Sequence, residues 1–64
     1  MTESRIDELL REYTASLRVM GEYLLVKLND GDYHGVADAC MDIREILARV
    51  GLLLEFKKEG LNAG

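Results

Sequence analysis

Apolar residues recur at Ile6, Leu10, Tyr13, Leu17, Met20 and Leu24, in steps of four, three, four, three and four. That spacing holds one face of an α-helix, and its alternation of fours and threes is the heptad seam of a helix packed on a helix. The pattern lapses at "NDGD", residues 29–32. It resumes at Tyr33, Val36, Cys40, Ile43, Leu47, Val50 and Leu54, in alternating steps of three and four. The periodicity predicts a helix over about 4–28, a turn at 29–32, a helix over about 33–58 and a frayed tail at 59–64.

The end signals agree. Ser4 with Asp7 three residues on suits a helix start, with Thr2 as the alternative cap. Asn29 and Gly31 suit the left-handed conformation at a helix end, and Asp32 suits the next N-cap. Two helices of similar length joined by a short bend form an antiparallel hairpin. A bend centred near Asp30 sets Val36 against Leu24, Cys40 against Met20, Ile43 against Leu17, Leu47 against Tyr13, Val50 against Leu10 and Leu54 against Ile6. Each of these layers is apolar.

Large apolar residues remain outside these stripes. Val19, Tyr23 and Val26 fall at i, i+4 and i+7, while Ala39, Ile46 and Leu53 are each seven apart. Leu9, Leu25, Leu52 and Phe56 complete the surplus. Burying one large aliphatic side chain contributes about 1.5–3 kcal/mol, and a lone hairpin has only one seam. The surplus therefore predicts an interface, met most simply by a homodimer of hairpins closed into a four-helix bundle. Leu9, Val19, Tyr23, Val26, Ile46, Leu53 and Phe56 are its expected anchors, for self-association or for a protein partner.

The chain has 64 residues and is one domain. Its single cysteine rules out an intrachain disulfide, which fits a reducing compartment. Net charge is −4, with twelve acids, eight bases and no basic stripe, which argues against nucleic acid as a partner. "MTESRIDELL" lacks a signal-peptide core, and no apolar run has the length of a membrane span. The expected setting is the cytoplasm, or the host cytoplasm for a phage-encoded protein, with no membrane partner.

Chemistry could reside at the bend. His34 and Asp38 are i,i+4, a spacing that can chelate a metal, and Asp30 and Asp32 are near. A calcium loop of the EF-hand type would need a Glu twelfth from Asp30, where Met41 stands. The simpler reading makes Asp30 a turn residue, Asp32 a cap and His34 a solvated residue. Cys40 has a seam position and no base at catalytic spacing, so it reads as a small apolar residue. No cofactor and no enzymatic activity are expected. Asp30, Asp32, Asp38 and Asp42 make the bend end acidic, a possible docking patch for a basic partner.

"EYLLVKLNDGDYHGVADACMDIREI", Glu22 to Ile46, resembles short helical-hairpin proteins encoded by bacteriophages and prophages. Its Gly-Asp-aromatic turn, Ala-Asp-Ala and Asp-Ile-Arg-Glu stretches carry the likeness. The resemblance implies a small accessory protein that acts by binding, as an inhibitor or adaptor of a host protein such as a transcription regulator. It supplies no catalytic residue. Two alternatives stand beside this expectation: a self-assembling structural or chaperone-like subunit, and a metal site at the bend.

Overall fold

A computed structural model describes residues 2–63, with side chains as far as Gly60. It is all-helical: α1 spans Glu3–Asn29 and α2 spans Tyr33–Ala63, and there is no strand among the described residues. The two helices pack along each other as a rod 50 × 15 × 12 Å.

Thr2, not Ser4, caps α1: its Oγ1 accepts from the Arg5 amide at 3.1 Å. Ser4 lies inside the first turn. At the other end, the Gly31 amide donates to the Leu28 carbonyl at 3.1 Å and the Asp32 amide donates to Lys27 at 2.9 Å. These two bonds make a Schellman motif with Gly31 at its left-handed position, φ +73°. Asn29 stays helical. Asp32 then starts α2, its Oδ1 accepting from the Gly35 amide at 2.9 Å. One residue thus closes α1 and caps α2, which accounts for so short a bend.

α2 continues past Lys58 through Gly60 to Ala63. The tail expected at 59–64 is therefore helical as far as Ala63, while Gly64 lies outside the described residues. A lone glycine costs a helix about 1 kcal/mol, which is a weak stop without a left-handed cap.

The seam on α1 is the expected one: Ile6 is buried at 3% exposure, and Leu10, Tyr13, Leu17, Met20 and Leu24 are half-buried. The stripe ends on Lys27. On α2 the seam differs from the expectation. Val36, Ile43 and Val50 hold their places, but the positions between them are Ala39 (0% exposed), Ile46 and Leu53 (6%), ending at Lys57. Tyr33, Cys40, Leu47 and Leu54 face outward instead, Tyr33 at 72% exposure. The two candidate stripes share every second member and have the same spacing, so periodicity cannot choose between them. The contact at the bend decides: Gly35, one turn before Ala39, is buried against Lys27, which turns the Ala39 side of α2 inward. At the open end Lys57, in the shared row, reaches Asp7.

Those same contacts centre the crossing near Gly31 and Asp32, about one to two residues beyond Asp30. The layers expected from an Asp30 centre shift accordingly.

Candidate interaction surfaces

The seam leaves two broad faces on the rod. With the seam residues of each helix taken as heptad positions a and d, the e and b positions flank one side and the g and c positions the other. Because α2 runs antiparallel to α1, like-lettered positions lie side by side. A groove of about 500 Å³ illustrates this, lined by Ser16, Val19 and Met20 of α1 with Asp42, Glu45 and Ile46 of α2. It continues toward the bend between Tyr23 and Asp38.

The groove side contains most of the expected anchors. Val19, Tyr23, Val26 and Phe56 are exposed there, and Leu9 is half-buried beside them. Leu52 lies on the same side. Lys27 covers part of the Tyr23 ring, its Nζ 5.4 Å from the centroid. Ile46 and Leu53, also expected as anchors, are taken up in the hairpin seam. Leu53 is buried there, whereas Ile46 is half-buried and still lines the groove.

The opposite side is built on the residues that sequence periodicity had assigned to the seam. Tyr33, Cys40, Leu47 and Leu54 stand seven apart and are all exposed. Leu28 of α1 adjoins them at the bend end, and Leu25 and Met41 extend the patch. Gly21 and Gly51 open onto this face, and a Cβ at either would meet nothing within 4 Å. The signal that could have found the face was present: a second residue set at heptad spacing, competing with the seam.

Charge divides between the sides. The e and b positions hold Arg11, Arg18, Arg44 and Lys58, and their only acid is Asp7, which bonds to Lys57 at 2.8 Å. The g and c positions of the helices hold Glu12, Asp38, Asp42, Glu45 and Glu59 against Arg5 and Arg49. Arg5 is engaged with Glu8 at 3.0 Å. One face is thus apolar with a basic rim, and the other is apolar at its ends and acidic between them.

The bend aspartates have local roles. Asp30 is exposed in the turn. Asp32 Oδ2 lies 3.5 Å from Lys27 Nζ. The Gly35 amide, with a smaller contribution from Lys27, holds the Asp32 carboxyl below its ordinary value of 3.8. Asp38 lies 3.6 Å from His34 Nε2, both well exposed, and Asp42 lines the groove. No group of three or more His, Cys, Asp or Glu side chains among the described residues could hold a metal ion. The pair of His34 and Asp38 supplies two ligands where a zinc site takes at least three from the protein.

Among the described residues no helix is long and apolar enough to cross a membrane. No family model matches the chain, and no curated protein or solved structure was found similar to it. Fold and surface define the chain as a two-helix hairpin with two unlike apolar faces.

Proposed function

We propose that the chain is a non-enzymatic interaction module, which works by presenting apolar helix faces to other protein chains, its own copies included. The observation that carries this reading is the outward row Tyr33, Cys40, Leu47 and Leu54, four side chains at heptad spacing that the hairpin leaves exposed. Contiguous apolar surface of this kind marks a protein contact site. The seam is thin by comparison, with only Ile6, Ala39 and Leu53 buried among the apolar residues described. Small domains with so little core gain their stability from a staple such as oligomerisation.

The test is the solution mass of the chain at tens of micromolar. A multiple of 7.2 kDa supports the reading, and a strict monomer rejects the part of it that concerns its own copies. A narrower form follows from the resemblance to phage hairpins: an inhibitor or adaptor that binds a host regulator. Asp38, Asp42 and Glu45 favour it, because a row of acids suits the basic surface with which a regulator contacts DNA. A regulator held at low salt and released at about 1 M, where the screening length is about 3 Å, supports that form. Retention unchanged by salt argues against it.

A further inference from the structure

The two faces differ in charge, and this bears on how copies of the chain meet. We propose that the basic-rimmed face of one copy packs on the acidic face of the next, a head-to-tail contact rather than a two-fold one. The inference rests on the reading of the chain as an interaction module and adds the partner and the geometry.

The area fits a second copy. A folded monomer of 7.2 kDa exposes about 4,100 Å² by the usual scaling. This chain exposes 4897 Å². The excess, about 800 Å², equals what each partner contributes to an interface of standard size. A face of 50 × 15 Å offers on the order of 700 Å², so one face is large enough to take it.

Charge selects the pairing. A two-fold contact through the basic-rimmed face would bring Arg11, Arg18, Arg44 and Lys58 against their own copies. A two-fold contact through the groove face would do the same with Asp38, Asp42 and Glu45. Like charges set against each other are a recognised cost to an interface. Basic rim on acidic groove sets Arg11, Arg18, Arg44 and Lys58 against a side where Asp38, Asp42 and Glu45 outnumber Arg49. It also covers both apolar faces, whereas a two-fold dimer covers one and leaves the other wet. Tyr33, Leu47 and Leu54 of one copy then lie over Val19, Tyr23 and Phe56 of the next. The open space in front of Gly21 and Gly51 leaves room for the neighbour's side chains. Head-to-tail contacts of this kind do not stop at two; they close into a ring or run on.

Complementation between two blocked variants tests this. Leu47→Glu puts an acid on the basic-rimmed face and leaves the groove intact. Val19→Lys puts a base in the groove and leaves the other face intact. Each variant alone is expected at 7.2 kDa, and an equimolar mixture at no less than twice that mass, because the two intact faces can join. Both positions are exposed, and helicity by circular dichroism checks that the variants fold. Tyr33→Glu with Val26→Lys is the second pair should either fail to fold. A mixture that stays monomeric overturns the proposal, as does a Val19→Lys or Leu47→Glu variant that dimerises alone. If wild type assembles and complementation fails, only this inference falls. If wild type is monomeric, the self-association part of the interaction reading falls with it.

Discussion

Lys57 Nζ lies 2.8 Å from Asp7 Oδ1, joining two residues that stand fifty apart in the chain. The contact ties the open ends of the hairpin, as the Schellman motif ties the bend. It also fixes the register of α2 on α1 at the open end, where Lys57 continues the row of Val36, Ile43 and Val50.

The Asp7 carboxylate holds the Lys57 ammonium above its ordinary value of 10.5. A base whose value is raised on folding contributes stability below its unfolded value and loses it as pH rises through the folded one. Hydrogen exchange or thermal melting should therefore show the open end loosening as pH rises above 10.5. An Asp7→Asn variant should lose most of that dependence. Equal alkaline sensitivity in the variant would assign the effect to other groups.

The rotation of α2 is tested by neighbouring residues. Leu53→Ala removes a buried side chain and should cost about 2–5 kcal/mol. Leu54→Ala removes an exposed one and should cost a monomer less than about 0.5 kcal/mol. Ala39→Leu should cost about 1–3 kcal/mol by overpacking, while Cys40→Leu is tolerated. Denaturant melts of dilute protein read these values. The reverse ranking, with Leu54 and Cys40 sensitive, would restore the seam expected from sequence.

The glycines separate by their surroundings. Gly51→Ala meets open space and should stabilise the isolated hairpin by about 1 kcal/mol. Gly35→Ala should not, because its Cβ would come within 2.9 Å of Asp32 Oδ2 and of Lys27 Cδ. It would push aside the cap that starts α2. Equal gains at both positions would show that the cap has no steric hold on Gly35.

Acid acts on the same cap. The Asp32 carboxyl is held below 3.8 chiefly by the Gly35 amide. A group with a depressed value contributes stability above its unfolded value and loses it as pH falls through the folded one. Helicity near the bend should decline as pH drops below 3.8, and Asp32→Asn, which keeps an acceptor, should blunt the decline. Unaltered acid sensitivity in Asp32→Asn would place the titration elsewhere.

Much of the fold was legible because heptad spacing and end signals act locally. The α1 stripe from Ile6 to Leu24, the turn at Gly31 and the cap at Asp32 all follow from neighbours within one or two turns. The rotation of α2 was not legible. Cys40 and Ala39 both lie a few residues from Val36, and only packing across the hairpin, such as Gly35 against Lys27, separates them. The candidate surfaces were half legible for the same reason. Val19, Tyr23, Val26 and Phe56 are outside any seam, whereas Tyr33, Leu47 and Leu54 were hidden in the wrong one. The division of charge between the faces appears only once that rotation is known, since it places Arg44 and Lys58 opposite Asp42 and Glu45.

Cysteine chemistry gives an independent reading of the contact. In a head-to-tail assembly Cys40 faces a groove that contains no cysteine, so oxidation should not link two chains. Maleimide labelling of Cys40 should slow as protein concentration rises. A disulfide dimer formed readily at Cys40 would instead indicate two basic-rimmed faces in contact.

The most direct measurement is the mass of the wild-type chain by light scattering as its concentration is raised from a few to a few hundred micromolar. Apolar helix faces that bind other copies predict a mass above 7.2 kDa that climbs with concentration. A mass fixed at 7.2 kDa across that range would contradict the account.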